Sequence, residues 1–146
     1  WLVAFGFESG SDETLKKIKK GANVENNLIA AEYTKKAGLK LYGFYLIGLP
    51  WEDFTHLNMT KKLIFDTKPD FLELHIAVPY YGTELYEMAK NEGLIKAPVL
   101  GQNYFEEATT GTHHLSSNEL IAFRRKVIAQ YHLRPQYIYQ KLIYEC

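Results

Sequence analysis

Three apolar runs punctuate the chain, and polar stretches with helical spacing fill the intervals. Trp1-Leu2-Val3-Ala4-Phe5-Gly6-Phe7 has no polar alternation and runs straight into Glu8-Ser9-Gly10-Ser11-Asp12. Leu39-Lys40-Leu41-Tyr42-Gly43-Phe44-Tyr45-Leu46-Ile47 is almost wholly apolar and is broken by Gly48-Leu49-Pro50. Phe71-Leu72-Glu73-Leu74-His75-Ile76-Ala77-Val78 is the third run, stopped by Pro79. Apolar runs of this length, bounded by turn residues, predict strands covered on both faces, as in the middle of a parallel sheet.

The intervals read as helices. Asp12 to Lys20 follows a Gly/Ser turn, with Ser11 or Asp12 as cap and Gly21 as stop. Asn23 caps a second helix whose inner face holds Leu28, Ala31 and Ala37, ended by Gly38. Thr55 to Phe65 is helical with Leu57, Leu63 and Ile64 inward, and a turn cluster from Asp66 to Asp70 follows. Thr83 caps a helix through Lys90, closed by Gly93. Strand alternating with helix three times predicts βαβ units and a parallel α/β sheet. Residues 97–112 read as an irregular loop. A helix start at Ser116 leads into Leu120 to Leu133, and Pro135 separates a second helical stretch from Gln136 to Tyr144.

Composition narrows the function classes. A chain of 146 residues fits one domain with a proper core. Its 17 basic and 17 acidic residues cancel, so no whole-chain field draws nucleic acid or anionic lipid, and no nucleic-acid partner is expected. No apolar stretch reaches membrane-spanning length, and the expected location is cytoplasmic. The single cysteine, Cys146, provides neither an internal disulfide nor a thiolate cluster, and no metal ligands are assigned.

Ligands of parallel α/β sheets bind at the carboxyl ends of the strands. That rule selects Glu8-Ser9-Gly10-Ser11, Gly48-Leu49-Pro50-Trp51-Glu52 and Pro79-Tyr80-Tyr81-Gly82-Thr83. Each alone is an ordinary strand-to-helix turn; three at one rim favour a site for a small-molecule substrate.

The same segments carry a family resemblance. Gly6-Phe7-Glu8-Ser9-Gly10-Ser11, with Leu15, Ile18, Lys20 and Gly21 after it, resembles the fourth strand and following loop of radical S-adenosylmethionine enzymes. Gly43 to Pro50, with Glu52, resembles their fifth strand, and Ala77 to Tyr86 their sixth. The tail Tyr131-His132-Leu133-Arg134-Pro135-Gln136-Tyr137-Ile138 is similar to the C-terminal segment of the cobalamin-binding branch, which includes the anaerobic magnesium-protoporphyrin ester cyclase and several methyltransferases. The resemblance implies an α/β fold made of three βα units of a partial (βα)6, TIM-like barrel plus a C-terminal helical tail. Residues 1–96 would be the C-terminal half of the barrel, strands four to six, and residues 97–146 a loop and helical extension.

The resemblance also implies cofactors: S-adenosylmethionine, a [4Fe–4S] cluster on a CxxxCxxC loop and, in that branch, cobalamin. The activity it implies is generation of a 5′-deoxyadenosyl radical in an oxidoreductase, cyclase or methyltransferase. Glu8 and Ser9 match positions facing the ribose and methionine portions, and Lys20 a basic position near the methionine carboxylate. The surroundings of Tyr45, Ile47 and Gly48 would lie near the adenosine, while Val78, Pro79 and Tyr80 would frame the adenine or the substrate mouth. Phe44 stands where some relatives carry an acidic ribose ligand. No CxxxCxxC exists in this sequence, so the chain is expected to be an inactive fragment of a larger enzyme.

Other readings stand beside this one. A non-catalytic α/β module that binds a partner is the alternative from a different class. A third is another TIM-like enzyme using Glu73 and His75, alternates on one strand face, as acid and base. Read alone, Lys16, Lys17, Lys19 and Lys20 form a solvated helix face. His56 reads as a solvated residue in a helix's first turn, His113-His114 as polar loop residues, Glu106-Glu107 as surface residues and Arg124-Arg125-Lys126 as a solvated basic turn. Finally, an apolar first strand with an unpaired edge recruits other chains. A homodimer through residues 1–7, or fraying of that strand, is therefore expected.

Overall fold

The computed structural model describes residues 1–95 and 110–144. Its elements are β1 (Leu2–Glu8), α1 (Asp12–Lys17), α2 (Val24–Lys36), β2 (Lys40–Ile47), α3 (Phe54–Thr67), β3 (Phe71–Ile76), α4 (Glu84–Asn91), α5 (Ser117–His132) and α6 (Pro135–Tyr144). The strands form one parallel sheet in the order β1-β2-β3, with Leu2 opposite Lys40 and Tyr42 opposite Phe71. The α/β architecture expected from the alternation is present. Of the loop expected at residues 97–112, positions 97–109 lie outside the described residues, as do Glu106, Glu107 and Cys146.

The helices start where the sequence provides caps. Asn23, Asp53 and Ser116 each accept a backbone N–H from the third helical residue, whose own side chain reaches back to the cap backbone. His56 is that third residue in α3. Its backbone N–H holds the Asp53 carboxyl low, at about 2. Helix α1 is shorter than the predicted stretch to Lys20. Ile18 caps it, Lys19 turns left-handed at φ 57° and Gly21 follows at 73°.

Burial corrects one expectation. Among the described residues, helices cover the apolar runs on one face only. In β2 the buried residues are Leu41, Gly43, Tyr45 and Ile47, while Tyr42, Phe44 and Leu46 are half-buried. In β1 only Phe7 is buried, and Ala4 is exposed. One face of the sheet is closed by helices, through a core that joins Phe7, Leu41, Tyr45, Leu57, Ile64 and Leu74. The other face carries Phe71, Tyr42 and Phe44, with Tyr42 and Phe44 stacked at 4.5 Å. Aromatic side chains on the face that no described helix covers removed the polar alternation that would have marked it in the sequence.

The tail completes the helix-side core. Leu120, Val127 and Tyr131 of α5 are fully buried in it. Burial of each such side chain contributes roughly 1.5–3 kcal/mol. The Tyr131 hydroxyl donates to the Pro69 carbonyl at 2.5 Å, and Arg124 Nε donates to the Leu74 carbonyl at 2.6 Å. These bonds fix α5 beneath β3.

Candidate functional site

Parallel strands bring their carboxyl ends to one rim, and the backbone of β1 departs from regular geometry there. Its register against β2 shifts between Gly6 and Glu8, and Glu8 takes φ 62°. A residue with a Cβ held in the left-handed region costs about 1–3 kcal/mol. The turn aims the Glu8 carboxylate at Lys20, whose Nζ lies 3.1 Å from Oε1. Lys20 reaches it because the chain reverses after α1, with the Lys20 N–H donating to the Leu15 carbonyl at 3.0 Å. Gly6 makes room. A Cβ on Gly6 would stand 2.5 Å from Glu8 Oε1 and 3.0 Å from Lys20 Nζ.

Both partners are partly exposed, at 31% for Lys20 and 27% for Glu8. Such a pair contributes at most about 1 kcal/mol, no more than the strain that positions it. The pair's own stability does not explain the arrangement. The pair borders a groove of about 420 Å³ in which Leu46, Leu49, Trp51, Leu85 and Met88 stand beside the charged Lys17, Lys19 and Glu84, a size suited to a small molecule. Lys17 Nζ lies 5.0 Å from the centre of the Trp51 ring, and Lys19 pairs with Glu84 at 2.8 Å on the other wall. The lysine run expected to be one solvated helix face is therefore divided by a turn, and its members take different partners.

The end of β2 is built around a buried carboxyl. Glu52 is fully buried; its Oε2 accepts the N–H groups of Gly48 at 2.8 Å and Leu49 at 3.2 Å. Burial pushes the carboxyl upward, against the pull of those two N–H groups. The Thr112 hydroxyl donates to the Glu52 carbonyl at 2.8 Å, and Trp51 Nε1 donates to the Thr14 hydroxyl at 3.2 Å. Gly48 sits at φ 85°, where a Cβ would lie 3.0 Å from Ile76 and 3.1 Å from Leu120.

The structure thus gathers some of the expected site residues and separates others. Glu8 and Lys20 meet. Gly48 shapes the rim turn. Val78 and Tyr80 line an adjoining groove with Leu46, His75 and Leu85, and Pro79 beside them is buried. Ser9 is buried away from both grooves: its hydroxyl lies 3.3 Å from that of Thr60 and accepts the Ser11 N–H at 3.2 Å. Tyr45 and Ile47 lie on the helix-covered face. The Tyr45 hydroxyl is 2.6 Å from that of Thr67, and burial pushes its phenol upward. Strand alternation gives the groove Leu46 instead, a residue to which the sequence assigns no role, as it assigns none to Leu85 and Met88; Trp51 belongs to the rim segment expected at the end of the second strand. Of the histidines, His113 bonds Glu92 at 2.9 Å. Among the described residues no group of three or more His, Cys, Asp and Glu is placed to hold a metal.

No family model matches the chain. A provisionally named methylthiotransferase of Methanocaldococcus jannaschii is 39% identical over 97 residues, 64% of this chain and 22% of the relative. An uncharacterized methyltransferase of Pyrococcus horikoshii is 31% identical over 138 residues, 92% of this chain and 29% of the relative. The solved structure of Elp3 from Methanocaldococcus infernus, with its N-terminus deleted, superimposes with a TM-score of 0.58 at 25% identity. That match covers 91% of this chain and 37% of Elp3. These likenesses support a relationship to the radical S-adenosylmethionine superfamily. The chain spans less than a third of the curated relatives named here.

A radical S-adenosylmethionine relationship implies that cofactor and a [4Fe–4S] cluster in a longer protein. The residues present fit the two groups differently. Such a cluster is held by several thiolates, and one cysteine at position 146 does not provide them. A methionyl group, with its carboxylate and ammonium, is matched in charge by Lys20 and Glu8, in a groove whose walls also carry Lys17, Lys19 and Glu84. Among the described residues no helix is long and apolar enough to cross a membrane.

Proposed function

We propose that this chain is the C-terminal half of a radical S-adenosylmethionine barrel, with β1, β2 and β3 as strands four to six. In this reading the Glu8–Lys20 groove receives the methionyl end of the cofactor. Lys20 would hold its carboxylate, Glu8 its ammonium, and Gly48 would keep the β2 end open to the adenosine. When bound in the longer protein, the cofactor supplies a carbon radical; this chain's own residues bind and orient it. The observation that carries the reading is Glu8 at φ 62° with its carboxylate 3.1 Å from Lys20 over a side-chain-free Gly6.

Calorimetric titration of the chain with S-adenosylmethionine tests it. Lys20→Met should weaken binding about tenfold, the loss of one charge-assisted hydrogen bond. Gly6→Ala should weaken it too while leaving the melting temperature nearly unchanged, because the added methyl displaces only side-chain ends. Equal affinities in wild type and both variants would sink the assignment. In the longer protein, anaerobic reconstitution with iron and sulfide followed by reduction should cleave S-adenosylmethionine.

The names of two relatives favour transfer of a methyl or methylthio group as the chemistry of that longer protein, and a cytoplasmic location suits it. Cobalamin and cyclisation rest on the tail motif alone. The outer edge of β1 is unpaired among the described residues, and we infer that it pairs with a second copy of the chain. Light scattering at micromolar concentration should give a dimer mass; a monomer with β1 amides protected from exchange would contradict this.

A further inference from the structure

The buried Glu52 carboxyl is only half satisfied. Its Oε2 accepts the N–H groups of Gly48 and Leu49, while Oε1, equally out of reach of water, has no hydrogen-bond partner among the described residues. A buried polar atom left without a partner costs about 1–3 kcal/mol. A glutamine would set one acceptor oxygen before the same two N–H groups and bury no charge. What an ionised carboxyl adds is strength of hold, because a charged acceptor makes hydrogen bonds roughly twice as strong as a neutral one.

The residues so held are walls of the Glu8–Lys20 groove. Leu49 and Trp51 line that groove, and Glu52 is buried behind them. Leu49 is bonded to the carboxyl directly, beside Gly48 in its left-handed turn at φ 85°. Trp51 is reached through Thr14. The indole Nε1–H donates to the Thr14 hydroxyl at 3.2 Å, and that hydroxyl stands close enough to favour the charged carboxyl without completing a bond to Oε1. Among the described residues, the charged side chain acting on the carboxyl is His56 of α3, whose ring lies 2.7 Å from Asp53 and 4.0 Å from Glu13 of α1. Thr14 of α1 and Thr112, before α5, face Glu52 without charge.

We propose that Glu52 is a positioning residue of the ligand groove, whose ionised carboxyl holds Leu49 and Trp51 where a ligand meets them. That the ligand is S-adenosylmethionine rests on the reading above; the hold on the wall does not.

The Leu49 methyl and Trp51 indole N–H resonances of the full chain are followed as pH is raised through the carboxyl's titration, with Trp51→Phe for assignment. In wild type both should move along one curve, and Glu52→Gln should flatten both. Thr14→Val should uncouple Trp51 and leave Leu49 coupled, and it decides the matter where Glu52→Gln does not fold. S-adenosylmethionine is titrated into the same samples. The ratio of wild-type to Glu52→Gln affinity, in which titration of the ligand itself cancels, should rise about fivefold from the acid to the basic limb. That is roughly what an ionised rather than a neutral acceptor is worth at one N–H. A carboxyl that only supports the fold would move the melting temperature and leave this ratio flat. Resonances that do not titrate, a titration that survives in Glu52→Gln and so belongs to His56, or a flat ratio with the cofactor bound would overturn the proposal. Absence of S-adenosylmethionine binding with the coupled titration intact removes the cofactor reading and leaves the positioning of the wall standing.

Discussion

Gly10→Ala should destabilise the chain by about 3 kcal/mol, at the upper end of what overpacking a close contact costs. Gly10 lies in the turn after β1, pressed against the backbone of α3. A Cβ there would sit far inside contact distance of the Met59 carbonyl and 2.7 Å from the Thr60 nitrogen. These are backbone atoms within a helix and cannot rotate aside, unlike the side-chain ends that face Gly6. The Gly10 N–H also donates to the Thr60 hydroxyl at 3.0 Å, a bond that any outward shift would break. A chain of this size loses roughly 2–4 °C of melting temperature per kcal/mol, so a fall of about 6–12 °C is expected. Urea unfolding within about 0.5 kcal/mol of wild type, the usual range for an innocuous surface change, would show that the turn moves freely from α3.

Glu52→Ala should cost a comparable amount, about 3 kcal/mol, because two backbone N–H groups in a buried turn lose their acceptor. Glu52→Gln separates the charge from the shape. Burial raises the folded-state carboxyl above its ordinary 4.5, so the folded chain binds this proton more tightly than the unfolded one. The cost of the charge is therefore absent below pH 4.5 and grows as pH rises through the folded-state value. The glutamine variant should gain on wild type across that window, by about 1.4 kcal/mol for each unit separating the two values. A difference that stays flat from pH 4 to pH 8 would mean that the carboxyl titrates as if exposed.

What could be read in the sequence was what period and punctuation encode. The apolar runs ending at Phe7, Ile47 and Val78 located the three strands, and Asn23, Gly38 and Thr83 located helix limits, because caps and breakers act within a few residues of themselves. What was not legible came from tertiary placement. Glu52 follows Gly48-Leu49-Pro50-Trp51, a context that reads as an exposed turn; only Thr112, sixty residues on, together with the walls around it, makes the site interior. A left-handed Glu8 has no local signature, since that conformation is a glycine habit and Glu8 adopts it through the register shift with β2. Tyr45 was placed at the ligand rim by motif position, whereas strand alternation sends it to the helix side and Leu46 to the groove. The Glu8–Lys20 contact is half legible: the motif marks both residues, but the reversal at Lys19 that joins them has the sequence of continuous helix.

The reciprocal caps at the starts of α2, α3 and α5 bear on the order of folding. Parallel strands meet only after a long crossover has closed, a step that slows such topologies. Helices whose first turns are fixed by neighbouring residues can form before any strand has found its partner. Each crossover between β1, β2 and β3 then becomes a shortened rod rather than a loose loop, which narrows the search for register. Removing the cap at Asn23 or Asp53 should accordingly slow refolding more than it accelerates unfolding.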